Sequence, residues 1–187
     1  MDACVKTNQM LLLKLGISPG PIDGVMGDLT EAAIAKGLAL PDRTPEHAQS
    51  HGGKGFVLNE RSVGNTRGVH PDLINVFFEA AKSSPHEFII TEGLRTVERQ
   101  KELVAKGFSK TMNSRHIKAK NGLGHAMDLA LIKNGKVDWK DLAAYDELGL
   151  HIKRVAKQLG VPIKWGGDWS WKDRPHYQLR WRNYPGT

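Results

Sequence analysis

A chain of 187 residues with 40% hydrophobic and 25% charged side chains can bury a core of ordinary size, which excludes wholesale disorder and low-complexity architectures. No apolar run approaches the roughly 18–20 residues of a membrane span, and residues 10–13, the longest early run, lack the h-region and cleavage site of a secretory leader, so synthesis as a soluble cytoplasmic protein is expected. Residues 1–50 carry four Lys/Arg against six Asp/Glu, so the net charge of +7 belongs to the remainder, which suits an anionic polymer, while the single Cys4 excludes an internal disulfide and a cysteine zinc site.

The first 40 residues read as a small helical segment. One helix spans about 5–15 and stops at Gly16; Ser18-Pro19-Gly20-Pro21 then forces a turn, because proline lacks an N–H and glycine favours open conformations. Asp28, with Glu31 three residues on, marks a second capped start. Residues 41–55, rich in Pro, Ser, Gly and charge, read as a linker to a body over 56–187. There Pro71 opens a helix with Leu73, Val76, Phe77, Ala80 and Ala81 on one apolar face. A strand is predicted over 88–91, and a helix capped by Thr96 runs to about Lys106 and closes at Gly107. Residues 126–132 form the next strand, followed by the hairpin-turn pair Asn134-Gly135. Leu148, Ile152, Val155, Ala156 and Leu159 mark a helix ended by Gly160 and Pro162, and short strands follow at 163–165 and 177–179. The irregular succession of strands and helices predicts an α+β fold with a small antiparallel sheet flanked by helices.

With cysteine excluded, a metal centre must use His, Asp or Glu, and the chain has eight His. His116, Asp128 and His176 offer two imidazoles and a carboxylate, and Asp173 lies three residues before His176, where it can reach an activated water without ligating the metal. The adjacent-helix motif HExxH is absent. Taken singly, each of these residues is an ordinary loop or turn side chain. His125 is open to reading as a fourth ligand, a substrate contact or a surface residue. Trp165, Trp169, Trp171 and Trp181 are open to reading as the lining of a substrate groove or as core plus rim, and Gly166-Gly167 as a tight turn or close backbone approach.

Several blocks in order carry a resemblance: Gly68-Val69-His70-Pro71-Asp72-Leu73, Glu92-Gly93-Leu94-Arg95-Thr96, Ser114-Arg115-His116, Gly124-His125-Ala126-Met127-Asp128, Trp165-Gly166-Gly167-Asp168-Trp169 and Asp173 through Leu179. On these, the body resembles the zinc peptidases that cut bacterial peptidoglycan stems, namely phage L-alanyl-D-glutamate endopeptidases and the related D-alanyl-D-alanine carboxypeptidases and dipeptidases. The resemblance implies their zinc-peptidase, hedgehog-like fold. It implies Zn2+ held by His116, Asp128 and His176, Asp173 as the base, and Arg95 polarising the scissile carbonyl. The pattern SxHxxGxAxD sets a step of seven from first His to Asp; here the step is twelve, so residues 118–122 read as a five-residue insertion in a solvent loop. His125 falls at a variable position of that pattern and is not carried over as a ligand.

Within the first 40 residues, Pro19-Gly20-Pro21-Ile22-Asp23-Gly24-Val25-Met26-Gly27 resembles the core of a peptidoglycan-binding module. The combination implies a monomeric phage endolysin that waits in the host cytoplasm until released to the wall, hydrolyses a stem-peptide amide, with L-alanyl-D-glutamate the first reading, and neither inserts into membranes nor binds nucleic acid. The rivals are a D-alanyl-D-alanine carboxypeptidase on the same scaffold, a non-catalytic wall-binding protein, and a basic nucleic-acid binder, which fits the charge but none of the motif blocks.

Overall fold

The computed structural model describes residues 55–185. The helical segment expected over 1–40 and the linker, apart from Gly55, lie outside the described residues. The body begins with helix α1 (Glu60–Asn65), capped by Asn59, followed by α2 (Pro71–Ala81). Strand β1 (Phe88–Glu92) leads to α3 (Val97–Ala105), capped by Thr96. Strands β2 (Ala126–Lys133) and β3 (Lys136–Asp138) form a hairpin, then come α4 (Leu142–Gln158), β4 (Ile163–Trp165) and β5 (His176–Leu179). Asn134 and Gly135 both have positive φ, as a two-residue turn between twisted strands demands.

All strand pairs are antiparallel, in the order β1-β2-β5-β4 with β3 also on β2. One sheet face carries Phe88 and Ile90, Met127, Leu129 and Leu131, and Tyr177 and Leu179, all buried in one core with the apolar faces of α2 and α4. The predicted α2 positions Leu73, Val76, Phe77, Ala80 and Ala81 are all buried. Phe77 meets Phe88 and Tyr177 edge-on at centroid distances of 6.0 and 5.3 Å, a geometry that adds about 0.5–1.5 kcal/mol per pair to the area buried. Glycine lets α4 and the turn after β4 sandwich the Trp165 ring: a Cβ at Gly149 or Gly167 would lie 2.3 or 2.2 Å from it.

Because side chains alternate along strands, the opposite face receives Asp128 from β2 and His176 and Gln178 from β5. Across β1 and β2 the register pairs Glu92 with Asp128 after an irregularity between Ile90 and Glu92. There Asn65 Nδ2 donates to the carbonyls of Ile90 and Thr91, at 2.8 and 3.1 Å. This bulge turns the end of β1 toward the polar face, where bulges commonly re-aim site residues.

Candidate metal centre

His116 arrives from the irregular segment between α3 and β2, and its backbone is pinned to the end of β1. Arg95 N donates to His116 O at 2.8 Å, and the Ser114 hydroxyl accepts from His116 N at 3.3 Å. Gly93 O accepts from His116 Nδ1 at 2.7 Å. Glycine is required there, since a Cβ at Gly93 would lie 2.1 Å from Asn65 O. Across the sheet Asp128 and His176 are directly paired in register, and Gln178 Oε1 accepts from His176 Nε2 at 3.0 Å.

These second contacts decide the chemistry of the atoms that face one another. With Nδ1–H of His116 and Nε2–H of His176 donated away, His116 Nε2 and His176 Nδ1 both present lone pairs. They lie 3.2 Å apart, and 3.3 and 3.0 Å from Asp128 Oδ1. Three such acceptor atoms converging on one point suit a cation. Ligands 2.0–2.1 Å from a tetrahedral ion are separated by about 3.3 Å, and this triangle has those edges with a fourth side left open. His116, Asp128 and His176 also form the metal-competent cluster found among the described residues. Burial would raise the Asp128 carboxyl, but the two imidazoles outweigh it and hold it well below the usual carboxylate range. Burial would lower His176, and the Asp128 carboxylate reverses the direction.

The cluster forms the floor of a groove of about 770 Å³ that Arg95 and Asp173 also line. His176 N donates to Asp173 O at 3.1 Å in a tight turn, and Gly166 O accepts from Asp173 N at 2.9 Å. Asp173 keeps solvent access at the groove surface, yet partial desolvation and the Asp128 charge raise its carboxyl above the ordinary range. The Arg95 guanidinium is clamped: Nε and Nη2 donate to the two oxygens of Glu92, Nη1 donates to Gln100 Oε1 at 2.7 Å, and Asp128 Oδ2 lies 3.7 Å from Nη2. All five predicted site residues therefore meet in one groove.

His125 fits none of its three sequence readings. It is buried on the opposite face, edge-on to His70 at 5.3 Å, with Nε2 against the Asn121 side chain. The insertion thus keeps Lys118, Lys120 and Asn121 at the surface while Asn121 covers His125 and Ala119 is buried. Of the tryptophans, Trp165 is core, whereas Trp169, Trp171 and Trp181 line the groove. Sequence reasoning missed Gln178, Glu92 and Gln100. Gln178 was accessible through strand alternation two residues after His176, and Glu92 through its three-residue offset from Arg95.

Residues 54–184 match the family described as phage L-alanyl-D-glutamate peptidase. The chain belongs to this family. It is 31% identical over 131 residues to the L-alanyl-D-glutamate peptidase of Escherichia phage T5, covering 70% of this chain and 94% of that one. It is 32% identical over 120 residues to the peptidoglycan L-alanyl-D-glutamate endopeptidase CwlK of Bacillus subtilis, spanning 65% of that protein. Among solved structures, the L-Ala D-Glu endopeptidase ChiX of Serratia marcescens superposes with a TM-score of 0.63 at 39% identity, covering 71% of this chain and 96% of ChiX. The small antiparallel sheet with flanking helices in this chain is the fold expected from its sequence. The family's matched span coincides with the body and excludes the first 53 residues.

Proposed function

We propose that this chain is a phage endolysin, a zinc peptidoglycan hydrolase that cleaves the L-alanyl–D-glutamate bond of the stem peptide. The observation that carries the reading is the convergence of two imidazole lone pairs and one carboxylate oxygen, 3.0–3.3 Å apart, in a groove of a chain with L-alanyl-D-glutamate peptidases as relatives. Two nitrogens and one oxygen with an open fourth side form the donor set of a catalytic rather than a structural zinc. His116, Asp128 and His176 hold the ion; Gly93 O and Gln178 fix the two rings. Bound there, zinc supplies Lewis acidity toward the scissile carbonyl and a nucleophile at neutral pH.

Asp173 accepts the proton of the attacking water and returns it to the leaving amine. Partial burial and the neighbouring Asp128 charge raise its carboxyl, which strengthens it as a base. Arg95, held by Glu92 and Gln100, directs its remaining N–H groups at the developing oxyanion without reorganising.

The test is mass spectrometry of purified sacculi digested by the wild type and by Asp173→Asn, with zinc measured in both. New amino termini on D-glutamate, a kcat loss of about 10²–10⁴ in the variant and equal zinc content are expected. New termini on D-alanine would assign a different scissile bond, and an inactive variant that has lost its zinc would remove Asp173 from the role of base.

A further inference from the structure

The groove is lined by four cationic side chains, and three are already occupied. Arg95 is clamped by Glu92 and Gln100. Arg115 Nη2 donates to the carbonyls of Leu179 and Tyr184, with its guanidinium over the Trp181 ring. Lys172 donates through Nζ to Gly167 O at 3.3 Å. Lys110 is different: among the described residues it forms no ion pair with a carboxylate, and its ammonium lies 5.1 Å from the ring centroid of Trp171 on the loop before β5.

Its backbone is nevertheless held from both sides. The fully buried Gln100 donates through Nε2 to the Ser109 hydroxyl at 2.7 Å and to Thr111 O at 2.6 Å, the residues immediately before and after Lys110. The same amide accepts from Arg95 through Oε1 at 2.7 Å. One side chain therefore sets Arg95 and the segment bearing Lys110 in a common frame, and Trp171 seats the lysine's head. A fixed segment, an aromatic seat and an unpaired ammonium in a substrate groove describe a cation kept for an anion that arrives from outside.

The reading that this groove cleaves before a glutamyl residue supplies that anion, and the inference rests on it. A glutamyl residue inside a peptide uses one carboxyl to continue the chain and keeps the other, whichever of the two is bonded. We propose that Lys110 is the anion subsite of the groove and receives the free carboxylate of the glutamyl residue at the scissile bond. It is a specificity residue, separate from the metal-binding set.

The experiment uses the full chain with zinc bound and three N-acetylated peptides built on L-alanyl-D-glutamyl-L-lysine. In the first, the lysine carries a C-terminal amide, so the glutamyl carboxylate is the sole acid; in the second, that carboxylate is a carboxamide; in the third, the carboxamide is kept and the C-terminal carboxylate is free. We expect wild type to favour the first over the second by about 10–100-fold in kcat/KM, the discrimination earned by a hydrogen bond to a charged group. Lys110→Met should bring that ratio close to one, and Lys110→Arg should retain most of it. Lys110 is exposed, so an unchanged melting temperature and zinc content would establish that the Met variant is folded. A preference that survives Lys110→Met overturns the proposal, as does a wild type indifferent to the carboxamide. Restored preference in the third peptide would assign Lys110 to the terminal carboxylate instead and also overturn it. Failure of wild type to cut any of the three after alanine sinks the scissile-bond reading itself, and the subsite with it.

Discussion

His125 shows how a histidine beside a metal-site motif is diverted to structure. Its ring packs edge-on against His70, with Arg115 and Tyr184 close by, and Tyr184 reaches Asp72 with a 2.7 Å hydrogen bond from its hydroxyl. Burial first, then the charges of Arg115 and His70, lower its pKa to about 4. A base with a depressed folded pKa is protonated more in the unfolded chain, so stability is full above about pH 6.5 and falls as the pH drops toward 4. Thermal melts of wild type and His125→Gln between pH 4 and 7 should differ in slope, the variant being flatter, with zinc content equal in both at pH 7. Parallel slopes would show that other groups govern the acid limb, and zinc loss in the variant would return His125 to the metal site.

Elements place the site through a few close approaches that only glycine permits. At Gly166, a Cβ would lie 2.2 Å from Asp173 O, and Gly166 O accepts from both Trp169 N and Asp173 N. The turn after β4 thus sets where Asp173 stands. Gly166→Ala should cost about 1–3 kcal/mol through overpacking. It should lower kcat further than KM changes, with zinc retained, because the three metal-binding side chains lie elsewhere. Calorimetry, steady-state kinetics and metal analysis on one preparation would check this, and unaltered kcat would mean that the turn does not position Asp173. The elements that the sequence reveals are those with a local signal: the apolar face of α2, the Thr96 cap of α3 and the Asn134-Gly135 turn. Helix α1 has six residues, too few for an apolar period, and its formation rests on the Asn59 cap and on packing against β1. Helix α4 starts at Leu142, ahead of the apolar residues read for it: Asp141 caps it, and buried Ala144 and Tyr145, one turn before Leu148, extend the same face. The convergence of the five candidate residues in one groove is legible through motif order, whereas the clamp of Gln100 on Arg95 is not: a buried glutamine on a helix acquires its meaning only when two loops fold onto it.

At the scale of the molecule, the described residues bury a core of their own and carry the whole candidate site, and we propose that residues 1–40 act as a wall-binding segment. Catalysis and anchoring should therefore separate. Deleting residues 1–40 should leave kcat/KM on soluble muropeptides within about twofold, since the described residues supply both a core and the five candidate site residues. Binding to intact sacculi should weaken by about 10–100-fold, because tethering a second binding element raises the local concentration of substrate. The truncated chain should not lose all affinity. The segment removed is acidic and the remainder carries the positive charge, so residual binding should persist at low salt and fall steeply as ionic strength rises and the Debye length shortens from about 30 Å at 0.01 M to about 8 Å at 0.15 M. Co-sedimentation with sacculi across a salt series, paired with hydrolysis of a soluble muropeptide, resolves the two contributions. If the truncated protein aggregates or loses its melting transition, residues 1–40 are a structural part of the catalytic body; if it binds sacculi as well as the full chain at every salt concentration, the groove and its basic surroundings supply all of the affinity.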